Sequence, residues 1–290
     1  MFSLDGYKTA LANGGVVRRA DRGVLAIAGA DRAAWLQGLL TNDIASLKEG
    51  ERRYAAYLTP QGRMISDMNV FERGGRILLD VPAPRAAALR DRLDGLIFAE
   101  DVRVTDESAT LWVWTVIYPD RLDDIVGEIL PAEFTALTPV EFDTFEVMRI
   151  ERGVPRFLAD MDEDTIPLEA GIEDRAISFT KGCYVGQEVI VRVTTRGGGR
   201  VAKKLVRWVA HPSAEIVPLP GAKIVSADPS ISLSAAKDIG RVTSAAFSPT
   251  INRVVGLGYV HRDFLAGGTE ITVVWNDTRI KAVVQPPLLK

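Results

Sequence analysis

The pattern of hydrophobic residues changes near residue 200, and this change restricts the fold more than any other feature. Before it, helix and strand signals alternate; from Val201 onward only short strands are indicated. They are expected at 205–209, 223–225, 240–244, 254–260, 270–275 and 279–284, with a tight hairpin at Asn276-Asp277-Thr278. About 90 residues of strands and turns favour a small antiparallel β-barrel. We therefore expect an α+β region over residues 1–200 and a C-terminal β-barrel over residues 201–290.

Turn and cap residues delimit the elements expected in the α+β region. Pro60-Gln61-Gly62 predicts the turn of a hairpin with strands over 54–58 and 64–71. Asp31 can cap a helix over 32–40, and Gly153 and Pro155 end a helix over 142–152. The other expected elements are strands at 24–27, 76–81 and 111–117 and helices at 84–96 and 121–130.

Counts of charged and metal-ligating residues exclude several classes of protein. The 290 residues hold 35 Lys and Arg against 38 Asp and Glu, a net charge of −3, so the basic excess of a general nucleic-acid binder is missing. One cysteine and two histidines are too few for a disulfide or for a zinc or iron–sulfur site within one chain. Charged residues interrupt every apolar run, and they begin too early for a signal peptide. We expect a cytoplasmic monomer without metal, membrane or nucleic-acid partners.

The only cysteine, Cys183, lies in an unusual segment over residues 179–188. Gly182 and Gly186 bracket it, which favours a tight turn that presents the thiol. Lys181 would favour the thiolate, whereas Glu188, if close, would oppose it. The alternative is that Cys183 is a small buried hydrophobic residue, as free cysteines usually are.

Two charged residues fall on surfaces expected to be covered. Asp67 lies in the strand 64–71, where neither face is cleanly polar. Arg149 lies beside Phe142 and Phe145 on the apolar stripe of the helix 142–152. A buried charge must be paired, hydrogen-bonded or used by a ligand. Asp67 and Arg149 could therefore belong to a binding site, or they could form a structural ion pair with each other.

Acidic and basic residues are segregated on either side of the cysteine segment. Residues 157–174 include acids and no base, and residues 189–214 include bases and no acid. The basic residues could hold a polyanionic ligand or could line a solvated strand face; they are Arg192, Arg196, Arg200, Lys203, Lys204 and Arg207. The glycines 197–199 predict a hinge rather than a phosphate cradle, because the Lys-Ser/Thr of a P-loop is missing.

Residues 181–188 resemble the signature of the YgfZ family, folate-binding proteins connected with iron–sulfur clusters and related to the glycine-cleavage T-protein, an aminomethyltransferase. The signature residues are Lys181, Gly182, Cys183, Tyr184, Val185, Gly186, Gln187 and Glu188. Further similarity to this superfamily extends along the chain at 29–31, 36–38, 41–43, 58–63, 149–151, 153–155, 166–169, 242–244 and 256–260.

The resemblance implies small α+β units around a central cavity that holds tetrahydrofolate or a one-carbon derivative, followed by a β-barrel. It implies that Asp67 lies where the T-protein has its catalytic aspartate and that Tyr54 contacts the folate. By the same resemblance Arg149 and Glu169 line that cavity. Cys183 and Asp67 are the candidate catalytic residues.

Three functions fit these observations. The leading hypothesis is a folate-binding accessory protein for the assembly or repair of iron–sulfur proteins, which uses Cys183 and contacts iron–sulfur client or assembly proteins. The second is a folate-dependent aminomethyl or methyl transferase in which Asp67 steers the amine. The third is a binding or scaffold protein with a structural cysteine.

Overall fold

A computed structural model describes residues 1–196, 198–214, 216–226 and 237–285, which form two β-sheets, a closed β-barrel and the helices packed on them. The sheets contain β1 Gly15–Arg18, β2 Arg22–Ala28, β3 Arg52–Leu58, β4 Met64–Arg73, β5 Arg76–Pro82, β6 Arg103–Asp106, β7 Trp112–Ile117, β8 Leu122–Gly127 and β9 Thr138–Pro139. The helices are α1 Leu4–Asn13, α2 Arg32–Leu39, α3 Ala86–Asp94, α4 Phe142–Arg152, α5 Pro167–Ala170, α6 Glu173–Ala176 and α7 Gln187–Val191. The expected α+β class is confirmed.

The first sheet is antiparallel, with strand order β3-β4-β5-β2-β6. The predicted hairpin is its β3–β4 pair, and Gly62 takes a positive φ of 76° in the turn. One face of the sheet packs on α2 and α3, where Leu36 and Leu79 are fully buried. Burial of each such side chain stabilises the fold by about 1.5–3 kcal/mol.

The predicted helix cap at Asp31 is wrong. Asp31 precedes α2, but its side chain makes no cap hydrogen bond. It accepts instead from the backbone N–H of Asp101 at 2.8 Å, which ties the start of the helix to the segment before β6. A hydrogen bond to a residue far along the chain therefore replaces the expected cap hydrogen bond within the helix.

The second sheet has the order β8-β7-β1-β9, and it overturns the helix expected at 121–130. That segment is strand β8, which pairs antiparallel with β7. Ile117 lies opposite Leu122 at one end of the pairing, and Trp112 lies opposite Gly127 at the other. Leu122, Ile125 and Val126 have helical spacing, which explains the wrong prediction. The close turn after β7 and the free edge of that strand favour pairing over a helix.

The two sheets pack face to face, and α4 connects this assembly to the barrel. The second face of the first sheet meets the second sheet through Val24, Leu78 and Val113. Helices α1 and α4 pack on the second sheet, with Phe145 of α4 in the contact. Farther along α4, Ile150 packs on the outside of the barrel. One end of α4 therefore packs on the second sheet and the other end on the barrel. The predicted bounds of this helix are confirmed.

The barrel closes in the order β10-β13-β12-β11-β14-β15. Its strands are β10 Lys203–Ala210, β11 Lys223–Ser226, β12 Asp238–Ser248, β13 Arg253–His261, β14 Glu270–Trp275 and β15 Thr278–Gln285. The predicted hairpin is confirmed, since Asn276 and Asp277 have positive φ values of 45° and 64° between paired Trp275 and Thr278.

The expected hinge lies partly outside the described residues, because Gly197 is not among them. Gly198 and Gly199 take positive φ values of 58° and 73° immediately before the barrel. In the part of the chain described, no helix is long and apolar enough to cross a membrane.

Candidate functional site

A cavity of about 440 Å³ is lined by residues of both sheets, of α4 and of the loop that follows α4. Its volume lies in the range of small-molecule sites. Arginine predominates, with two aspartates, Asp67 and Asp124, against seven arginines: Arg19, Arg22, Arg52, Arg53, Arg149, Arg156 and Arg175. The apolar wall consists of Leu122, Phe145, Val154 and Pro155. The surplus of positive charge favours an anionic ligand.

Asp67 lies in the cavity wall, and its position in β4 is as covered as the sequence predicts. It is 5% exposed. One carboxylate oxygen accepts from Arg22 Nη1 at 2.8 Å, and the other accepts from the Tyr54 hydroxyl at 2.8 Å. Burial, together with the Asp67 charge, raises the pKa of Tyr54 well above its ordinary value, so Tyr54 acts as a donor. Asp67 is therefore held in one orientation with lone pairs left for a ligand.

Arg22 is the partner of Asp67 that the sequence did not reveal. It also contacts Asp80, through its Nε to the carboxylate and through Nη2 to the backbone oxygen at 2.7 Å. Burial alone would lower the pKa of Arg22, but Asp67 and Asp80 outweigh it and raise that pKa. Asp80 sits in the apolar run of β5, the same kind of signal that singled out Asp67. That one arginine, Arg22, pairs with both aspartates can be seen only from the register of the strands.

Arg149 is as buried as predicted, at 2% exposed, but its contacts make it a structural residue. Its Nε and Nη2 donate to the two carboxylate oxygens of Glu146, each at 2.8 Å, and Nη2 also donates to Ser244 Oγ at 2.9 Å. Nη1 donates to Asp160 at 2.7 Å and to the Val154 oxygen at 3.2 Å. All five N–H groups of this side chain are thus in use. The expected structural pair exists, but with Asp160 instead of Asp67.

Glu169 is the other expected cavity residue, and the structure places it elsewhere. Among the described residues, it is not part of the cavity lining. It lies in α5, with one oxygen 3.9 Å from Lys203 Nζ. The neighbouring Glu173 forms a 2.7 Å ion pair with Lys204. Acids before the cysteine segment therefore pair with lysines after it, and those lysines are engaged within the chain.

Lys181 fixes the cysteine segment onto the end of α2. Its ammonium donates to the backbone oxygens of Gln37, Leu40 and Asn42 at 2.6, 2.6 and 2.9 Å. Burial lowers the pKa of Lys181 to about 8, which leaves a charged donor at neutral pH. A cation at the carbonyl end of a helix is electrostatically favourable. Lys181 thus serves as an anchor of the segment that contains Cys183.

Gly186 gives the segment a second contact, with the β3–β4 turn. It has a positive φ of 85°, and a Cβ there would lie 2.6 Å from the Thr59 oxygen. Tyr184 is buried, whereas Gln187 is partly buried and begins α7. The two sequence motifs 58–63 and 181–188 therefore meet, because two glycines, Gly62 and Gly186, allow close approach.

Cys183 is exposed, so the reading as a buried hydrophobic residue is excluded. The neighbouring Gly182 has open space around it, and Glu188 is also exposed. Cys183 is not among the described residues that line the cavity. The thiol is presented to solvent from a segment that is anchored on both sides.

Asn42 connects the cysteine segment to the cavity. Its side-chain amide donates to the backbone oxygens of Tyr54 and Arg175 at 2.8 and 2.9 Å, and its own backbone oxygen accepts from Lys181. The Arg175 guanidinium lies 4.6 Å from the centre of the Tyr54 ring. Arg175 falls at the end of the acidic run and gave no signal of its own in the sequence.

Replacement of Lys181 by methionine is expected to lower the free energy of unfolding by about 1–3 kcal/mol, because the backbone oxygens at the end of α2 lose a charged donor. Urea unfolding followed by circular dichroism measures the change. Lys223→Met, at an exposed barrel position, is the matched control and should keep the wild-type midpoint. Equal midpoints for all three proteins would contradict the anchor.

Comparisons with known proteins agree with this architecture. Residues 203–290 match the family model of the glycine cleavage T-protein C-terminal barrel domain. An aminomethyltransferase of Thermosynechococcus vestitus is 24% identical, over 91% of this chain and 81% of the relative. The tRNA-modifying protein YgfZ of Escherichia coli is 25% identical, over 69% of this chain and 73% of the relative. The crystal structure of aminomethyltransferase T from Bartonella henselae superposes with a TM-score of 0.81 at 18% identity, covering 99% of this chain and 89% of that one.

Proposed function

Because this chain belongs to the family that joins YgfZ with the glycine-cleavage T-proteins, we propose that it binds tetrahydrofolate or a one-carbon derivative. We propose further that it acts as an accessory protein in the assembly or repair of iron–sulfur proteins. The observation that carries this proposal is the link through Asn42 between the arginine-rich cavity and the segment that presents Cys183.

The residues of the cavity fit a reduced folate. Asp67 offers a fixed carboxylate to the amino and ring N–H donors of a pterin, and Phe145 and Leu122 offer apolar surface to its ring. The glutamyl tail carries carboxylates, which arginines bind in bidentate fashion. Arg53 and Arg175 are suited to this task, because they are at least partly exposed, in contrast to the saturated Arg149.

Cys183 extends this site beyond the cavity. An exposed thiol on an anchored segment can reach a protein partner without leaving its position. Iron–sulfur proteins are a chemically suitable class of partner, because thiolates are the usual ligands of their clusters. The Escherichia coli relative is named for tRNA modification; for this chain we propose that any effect on tRNA passes through an iron–sulfur client.

A second candidate is a folate-dependent aminomethyl or methyl transferase. The placement of Asp67 in the cavity favours it, since a fixed carboxylate can orient a substrate amine. Incubation with tetrahydrofolate and an aminomethyl donor separates the two candidates. Multiple turnovers would favour the transferase, whereas binding without turnover would favour the accessory role.

Tetrahydrofolate binding provides the direct test of the cavity. Asp67→Ala should weaken binding by about 2–5 kcal/mol, because a covered site loses its charged acceptor. Titration calorimetry on both proteins measures this loss, and melting temperatures check that the variant is folded. Asp164→Ala, at an exposed position outside the cavity lining among the described residues, should bind as tightly as the wild type. Equal affinities for wild type and Asp67→Ala would remove Asp67 from the site.

A further inference from the structure

A second concave site lies on the outer face of the barrel. Its volume is about 1120 Å³, and strands β10, β14 and β15 form most of its wall. Among the described residues, it shares no lining residue with the first cavity. The wall includes apolar side chains such as Val209 and Val283, which are paired neighbours in β10 and β15. We call this site the barrel groove.

Charge in the barrel groove is predominantly positive. Arg253, Arg279 and Lys281 are exposed around it, and Glu270 is the carboxylate that faces them among the described lining residues. Concave surfaces lined by one sign of charge concentrate ligands of the opposite sign. The groove therefore favours an anion.

Arg207 is the buried cation of this groove. In β10 the side chains of Val206, Trp208 and Ala210 fill the barrel core, so Arg207 points outward to the groove. It is 9% exposed, and its Nε has no hydrogen-bond partner among the described residues. Burial lowers the pKa of Arg207, and the charge of Glu151 only partly offsets this effect.

Arg149 and Arg207, two of the buried arginines among the described residues, differ in a way that points to a ligand. Arg149 has an acceptor for each of its five N–H groups. Arg207 borders Glu151, but both oxygens of that carboxylate lie 2.7 Å from the Tyr7 hydroxyl. A buried guanidinium without a full set of acceptors is costly unless something else supplies them.

We propose that the barrel groove binds a small organic anion, with its carboxylate or phosphate group on Arg207 and its apolar part against Val209 and Val283. Both anionic groups present paired oxygens that match the guanidinium fork. The exposed cations around the groove attract the ligand, and Arg207 holds it. This site is independent of the folate cavity.

Phenyl phosphate and phenylacetate are suitable probes, since each joins an apolar ring to one of the two anionic groups. Titration of the full-length protein, followed by amide NMR shifts, should give saturable changes in β10, β14 and β15. Benzyl alcohol, which lacks the charge, should give none. Saturation by phenyl phosphate alone identifies a phosphate ligand, and saturation by phenylacetate alone identifies a carboxylate ligand. The absence of saturable shifts with both probes overturns the proposal.

Arg207→Met should weaken probe binding at least about tenfold. Its melting temperature in the absence of ligand should be unchanged or higher, because an unsatisfied buried charge is removed. Arg262→Met, at an exposed position after β13, is the matched control and should bind like the wild type. Asp67→Ala should also bind the probes normally, which separates this site from the folate cavity. Wild-type affinity in Arg207→Met, or a large loss of its stability, would show that Arg207 is structural.

Discussion

Arg149→Met is expected to lower the free energy of unfolding by about 3–5 kcal/mol, the largest effect on stability that we expect from any single substitution described. The change removes the cation that pairs with the buried carboxylate of Asp160. Among the described residues, that carboxylate then keeps only neutral donors, which are the hydroxyls of Thr243 and Ser244 and the backbone N–H of Arg156. A carboxylate left in a covered site without its cation carries its full desolvation cost. Urea unfolding followed by circular dichroism gives the difference.

The control and the partner substitution separate a structural role from a binding role. Arg85→Met breaks an exposed ion pair with Glu163 and should change the midpoint little. Combining Arg149→Met with Asp160→Asn should cost less than the sum of the two single changes, because the double variant leaves no buried charge unpaired. Near-wild-type stability with lost folate binding in Arg149→Met would contradict the structural role and return Arg149 to the ligand site.

Cys183→Ser is expected to abolish function in cells while leaving the free energy of unfolding nearly unchanged. An exposed thiol contributes little packing, so the folded protein should not depend on it. The measurement is the activity of several iron–sulfur enzymes in a deletion strain complemented with wild type or with Cys183→Ser, at equal protein levels. Full complementation by the serine variant would show that the thiol is dispensable.

Alkylation gives an independent check of the same thiol. Native protein should react with iodoacetamide at Cys183 without prior unfolding, and the rate should fall as the thiolate fraction falls at lower pH. Alkylation in the presence of saturating tetrahydrofolate tests whether the cavity and the cysteine segment are coupled through Asn42. If the bound ligand orders the segment, Cys183 should react more slowly. Reaction only after unfolding would contradict the exposed position.

Local sequence signals correctly predict those elements whose conformation depends on local contacts. The Pro60-Gln61-Gly62 turn and the Gly153 stop lie where the structure has them, because the positive φ of Gly62 and Gly153 fixes the chain at those points. The helix predicted over 121–130 is wrong because pairing with the free edge of the preceding strand, β7, decides the conformation of this segment. The predicted cap at Asp31 is wrong because a distant residue, Asp101, supplies the donor to its carboxylate.

The sequence predicts that individual residues of the site are buried, but it does not predict their ion-pair partners. Period-two alternation in β4 was enough to expect a covered Asp67, and the helical stripe was enough to expect a buried Arg149. Their partners, Arg22 and Asp160, depend on how strands and loops from distant parts of the chain come together. Asp160 falls in the acidic run 157–174, where the sequence does not distinguish it from its exposed neighbours Asp162 and Glu163. Which charged residues form ion pairs depends on strand register and on packing, and neither can be inferred from composition.

The anchor of Lys181 has a consequence for how this protein can vary. Its three acceptors are main-chain oxygens, which every amino acid supplies. The position of Cys183 is thus tied to the path of the backbone at the end of α2 and not to the identity of the side chains there. Mutational drift along that helix can proceed without displacing the thiol, as long as the helix still ends at the same turn. A single lysine makes the position of the thiol tolerant of substitutions in the helix that supports it.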